Sequence, residues 1–95
     1  MKASIKKAKK VLLGNRRSGY TLPTNNKLYP AQWNWDSAFI ALGYSYFNLN
    51  FALGEISTLL KGQWKDGMVP HILFHNKNTN YYPNYSVWNC GNKID

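Results

Sequence analysis

Nine consecutive residues, Tyr29-Pro30-Ala31-Gln32-Trp33-Asn34-Trp35-Asp36-Ser37, gather aromatic rings, amides and a carboxylate. That set suits a sugar, because ring faces take up C–H groups and a carboxylate accepts from hydroxyls. The same residues have an architectural reading. Tryptophans near a helix start pack cores, and Asp36 or Ser37 ahead of an apolar run caps the helix that follows. If the stretch is extended, Trp33 and Trp35 point to one side. Spacing alone leaves both readings open.

Cleavage of a glycosidic bond ordinarily needs two carboxylates, an acid for the leaving oxygen and a base or nucleophile opposite. The chain has four acids: Asp36, Glu55, Asp66 and Asp95. Glu55 is expected on the polar edge of a helix, Asp66 belongs to a turn with Gly67, and Asp95 is terminal. No second catalytic carboxylate stands out. His71 and His75 lack a Glu or Cys that would complete a zinc site, so His71 reads first as a hydrogen-bonded structural residue. The glycines are scattered rather than grouped into a phosphate loop. Cys90 is the single cysteine, which excludes an intramolecular disulfide and leaves it an inert thiol.

Helices must position these groups. Ile5, Ala8 and Leu12 recur at helical spacing with lysines on the other side, predicting a helix over 3–13 that stops at Gly14-Asn15. Arg16 and Arg17 then sit favourably beyond its carbonyl end. Gly19, Pro23, Asn25, Asn26 and Pro30 make 18–36 a loop. A second helix, 37–47, is apolar nearly all round, which requires burial on most sides. Asn48 or Asn50 caps a third, 51–61, whose stripe is Ala52, Leu53, Ile56, Leu59 and Leu60, with Gly62 as its C′ residue. Val69-Pro70 is extended, and Asn76 through Tyr85 read as loop. Consecutive helices joined this way are antiparallel neighbours.

The length allows one domain at most. The net charge of +8 comes mostly from residues 1–17, which hold seven Lys and Arg and no acid. Their interleaving with apolar residues favours the solvated face of a helix over a nucleic-acid or membrane surface. No apolar run approaches the ~20 residues of a membrane span, and the start lacks a secretory core. A cytoplasmic protein is the expectation, and Asn84-Tyr85-Ser86 then carries no glycan.

Three blocks resemble a known family. They are Tyr20-Thr21-Leu22-Pro23, the run from Leu28 to Gly43 around Gln32-Trp33-Asn34-Trp35-Asp36-Ser37, and Gly62-Gln63-Trp64-Lys65-Asp66-Gly67-Met68-Val69-Pro70-His71-Ile72. Their order and spacing resemble the opening of glycoside hydrolase family 63, in its mannosylglycerate and glucosylglycerate hydrolase branch. The resemblance implies an all-α fold, the N-terminal helices of an (α/α)6 barrel that this chain leaves incomplete, with 1–95 as one partial domain. It implies inverting hydrolysis of an α-linked mannose or glucose, no cofactor, no metal, and glycerate as the leaving group. It places Tyr29, Trp35 and Asp36 in the sugar pocket, Trp33 beside them, and His71 and Tyr81 on the next loop. Asp36 would grip hydroxyls rather than move protons.

The family's general acid and general base lie downstream of these blocks, and the 95 residues end before either. The expectation is therefore a fragment that carries part of a pocket for a small carbohydrate and is inactive alone. It is expected to self-associate through uncovered apolar helix faces. The competing reading is a stand-alone sugar-binding or interaction module without catalysis; a basic nucleic-acid-binding module is a third.

Overall fold

A computed structural model describes residues 2–24, 28–76, 81–83 and 86–87. The order is α1 (Lys2–Asn15), β1 (Gln32–Trp33), α2 (Asn34–Ser45), α3 (Leu49–Leu60) and β2 (Ile72–Leu73). The chain is mostly helical, as expected. The helices are joined by a two-residue antiparallel pairing in which Gln32 faces Leu73 and Trp33 faces Ile72. Cys90 and Asp95, and the sequon's Asn84 and Tyr85, lie outside the described residues.

α2 and α3 pack along each other through a short link at Tyr46–Asn48. Ser37, Ala41 and Tyr44 recur at i, i+4 and i+7 on the buried side of α2, and Ala52, Glu55 and Leu59 do the same on α3 at i, i+3 and i+7. The small Ala41 and Ala52 let Tyr44 fill the centre, where Phe47 and Phe51 lie against its ring at 5.6 Å each. Asn48 caps α3 as read from the sequence, its side chain accepting from Phe51 N–H at 3.1 Å. α1 docks by its C-terminal end. The Tyr44 hydroxyl donates to the Leu12 carbonyl (3.0 Å), Lys9 lies over the Phe47 ring, and Arg16 lies over Phe51 at 3.8 Å. Arg17 closes the helix by donating to the Gly14 carbonyl at 3.2 Å. Ile5 and Ala8, expected to share a covered stripe with Leu12, are exposed.

Several boundaries need correction. α1 runs through Gly14 to Asn15, and the turn follows at Gly19, whose φ of +82° favours glycine. Thr21 then bridges back to Arg16, so the 18–36 loop starts with a tight return. α2 begins at Asn34, three residues earlier than read. Trp33 holds the N-cap position and makes no side-chain cap bond, so neither Asp36 nor Ser37 caps the helix. The first amide, Asn34 N–H, is satisfied instead by the His71 carbonyl at 3.0 Å. The extended arrangement that would aim Trp33 and Trp35 together is thereby broken, because one lies in β1 and the other in a helical turn. α3 is rotated from the expected stripe: Glu55 faces inward, while Leu53 and Leu60 face solvent.

α2 is apolar on two opposite faces, as its sequence suggests. Trp35, Phe39, Leu42 and Tyr46, at i, i+4, i+7 and i+11, form an exposed stripe opposite the one that meets α3. Among the described residues no helix is long and apolar enough to cross a membrane.

Candidate functional site

β1 divides the molecule's chemistry. Strand alternation sends Gln32 and Trp33 to opposite faces. On Trp33's side, rings converge. Tyr29 meets Trp33 edge-on at 5.6 Å and Tyr81 meets it edge-on at 5.2 Å, while Tyr29 and Tyr81 lie 6.5 Å apart. Phe74 supports Tyr81 at 6.3 Å. These separations are those of favourable edge-to-face and tilted ring pairs. Trp33 is almost fully covered, whereas Tyr29 keeps 41% of its surface exposed, so the cluster has a wet rim.

The remaining candidates sit around this cluster in different ways. Asp36 lies in the first turn of α2, half-buried, where the positive end of the helix dipole favours a carboxylate. His71 is exposed, and its carbonyl is held by the start of α2. Trp35 is 69% exposed and meets Phe39 at 5.8 Å rather than the other rings. Tyr29, Trp33 and Tyr81 are thus in direct contact. Asp36 and His71 are tied to them through the backbone of β1 and the first turn of α2, and Trp35 stands on the exposed stripe.

On Gln32's side lies a polar centre that reading the sequence missed. Glu55, expected on a polar edge, is 2% exposed. Its Oε1 accepts from Thr21 N–H (3.2 Å) and Ser37 Oγ–H (3.0 Å), with Gln32 Nε2 at 3.5 Å. Gln32 Nε2 makes a shorter bond to the Glu55 carbonyl, 3.0 Å. The Thr21 hydroxyl lies 3.0 Å from that of Tyr44, which links the centre to α1. Burial pushes the Glu55 carboxyl above the usual range, and the hydrogen bonds from Thr21 and Ser37 pull the other way. One signal was present: Glu55 lies three residues after Ala52 and four before Leu59, on the arc those two define.

The centre reaches the surface through His75. The Gln32 amide nitrogen is committed to Glu55, so its oxygen is the acceptor and His75 Nε2 donates to it at 2.8 Å. The ring stacks on Tyr20 at 3.8 Å. Burial of the covered ring, then the charge of Lys61, lowers the His75 pKa, tempered by the residue's exposed side. A shallow cleft of about 440 Å³ opens here among Gly19, Thr58, Lys61, Leu73 and His75. Leu73 pairs with Gln32, so this cleft is on the face away from the aromatic cluster. Among the described residues no three His, Cys, Asp or Glu side chains gather as a metal site would require.

The helices thus leave an apolar stripe uncovered and set an aromatic cluster and a carboxylate at the start of α2. Residues 29–94 match the mannosylglycerate hydrolase MGH1-like glycoside hydrolase domain, and the chain belongs to that family. Mannosylglycerate hydrolase MGH1 of Selaginella moellendorffii is 43% identical over 94 residues, covering 98% of this chain and 19% of that protein. Glucosylglycerate hydrolase of Mycolicibacterium hassiacum is 44% identical over 61 residues, covering 64% and 14%. The family 63 mannosylglycerate hydrolase of Thermus thermophilus, solved in complex with Tris, superposes with a TM-score of 0.80 at 46% identity, over 88% of this chain and 20% of that one. The chain therefore spans about a fifth of the length of the relatives it matches.

Proposed function

We propose that this chain forms one wall of the sugar pocket of an inverting hydrolase acting on mannosylglycerate or glucosylglycerate. The observation that carries the reading is the contact of Tyr29, Trp33 and Tyr81 beside the turn that bears Asp36. Ring faces take the sugar's C–H surface, and Asp36 accepts from its hydroxyls. His71 and Trp35 complete the pocket from its rim.

The chemistry needs more than these residues hold. An inverting enzyme places its acid and base about 6.5–9.5 Å apart with a water between. Glu55 is consumed inside the fold and Asp66 Oδ1 accepts from Met68 N–H in its turn. Asp36 is thus the carboxylate that adjoins the aromatic cluster among the described residues, and the acid and base are assigned to the rest of an (α/α)6 barrel. The exposed stripe of α2 supports a piece of a larger body over a self-sufficient binding module, and would drive self-association of the isolated chain. The α1 lysines are solvated along the helix, and no nucleic-acid role is assigned to them.

The test is a graft. Residues 2–83 replace the corresponding segment of the Thermus thermophilus enzyme, and release of D-glycerate from both substrates is followed. The graft is expected to turn over and Asp36→Ala to lower kcat/KM by about a hundredfold. A graft that turns over equally well with Asp36→Ala would overturn the assignment.

A further inference from the structure

We propose that Glu55 is a positioning residue for the pocket: its buried carboxylate on α3 holds the residues adjoining Trp33 and Asp36, and so sets how Asp36 and the ring cluster built on Trp33 meet a sugar. This rests on the pocket reading above. Gln32 precedes Trp33 and Ser37 follows Asp36, and both are bonded to Glu55. The stronger side-chain tie is to Ser37, at 3.0 Å; Gln32 is held mainly by the Glu55 backbone, with the carboxylate at 3.5 Å. The effect therefore acts chiefly through Asp36.

Two features show why such a tie is needed. β1 and β2 pair over only two residues each, too few to fix the setting of Trp33 by backbone bonds alone. The start of α2 has no side-chain cap, and the Ser37–Glu55 bond is what fastens its first turn to α3. An aliphatic side chain at position 55, on the apolar arc of Ala52 and Leu59, would avoid the cost of burying a carboxylate but would leave the buried Thr21 N–H and Ser37 hydroxyl without this acceptor. What the carboxylate adds is direction: one oxygen draws donors from Thr21, from β1 and from α2 to a single point.

The experiment uses the same graft, with kcat and KM measured separately. Glu55→Ala is expected to lower kcat/KM by about tenfold or more, and Glu55→Gln, whose amide oxygen still accepts from Ser37 and Thr21, to stay within about threefold. Ser37→Ala removes the same bond from the other side and should reproduce the loss with the acid in place. On an Asp36→Ala background, Glu55→Ala should cost little more, because both losses pass through one group. A full loss on that background, or no loss from either Glu55→Ala or Ser37→Ala, overturns the proposal. If the unmodified graft is inactive, the pocket reading is what has failed. The ¹⁵N-labelled 95-residue chain then decides the positioning: Ser37→Ala should shift the Trp33 indole resonance as well as that of the adjacent Asp36 amide, and shifts confined to Ser37's immediate neighbours along the chain would contradict it.

Discussion

Glu55 stands under two opposed influences, and burial wins over the hydrogen bonds of Thr21 and Ser37. The folded chain thus holds the Glu55 proton more tightly than the unfolded chain does. Its contribution to stability is fully present below the usual carboxylate range and is lost as pH rises through the raised value. His75 acts in the opposite sense: its pKa is lowered on folding, so its contribution is present above its unfolded pKa and lost as pH falls through the depressed one. Thr21, Gln32, Ser37 and Tyr44 surround Glu55, with Arg16 the cation that acts on it. Comparing the parent chain with Glu55→Gln isolates its part. The parent's melting temperature should fall relative to the variant's as pH rises from about 4 towards 7. A difference that stays flat over that range would show that Glu55 is not held in this way. Asp36 is a different kind of acid. Placed in the first turn of α2 and half-exposed, it contributes about 0.3–1 kcal/mol through the helix dipole, so its replacement should affect ligand handling far more than folding.

At the level of elements, the end of α3 shows how a right residue can be read for the wrong reason. Gly62 was expected as the C′ residue, a position glycine commonly takes for its left-handed freedom. It does follow the C-cap, Lys61, but without a positive φ, and the positive-φ glycines are Gly19 and Gly67. Gly62 is needed for space. A Cβ there would lie 2.8 Å from Leu73 Cδ1 and 3.2 Å from Pro70 Cγ, because the strand β2 folds directly over it. Gly62→Ala should destabilise the chain by about 1–3 kcal/mol and loosen β2, read by chemical denaturation and amide exchange. A stability unchanged within error would mean that Leu73 simply swings aside. Helix positions were legible because their apolar periodicity is strong, and Asn48 was legible because capping is local. The rotation of α3 was not. Counting Glu55 as polar moved the inferred face off the Ala52–Leu59 arc, and no local rule says that a carboxylate will find Thr21, Ser37 and Gln32 waiting inside. The β1–β2 pairing was hidden for a related reason, since two-residue strands have no period to detect.

Taking the described residues together, the largest fully buried side chains are Tyr44, Gln32, Glu55, Thr21 and Ser37, while the apolar stripe of α2 faces solvent. An uncovered apolar stripe beside a buried polar centre supports the proposal that this chain packs against further neighbours. The sequence blocks that resemble family 63 run through both features, so the family was legible where the packing was not. On the proposed function, these residues bind sugar without the carboxylates that cleave it. The most direct measurement is D-glycerate release by the purified 95-residue chain supplied with mannosylglycerate or glucosylglycerate. On that reading, none above the rate without protein is expected. Release that disappears in Asp36→Ala would contradict it, because the chain would then hold a working acid and base of its own.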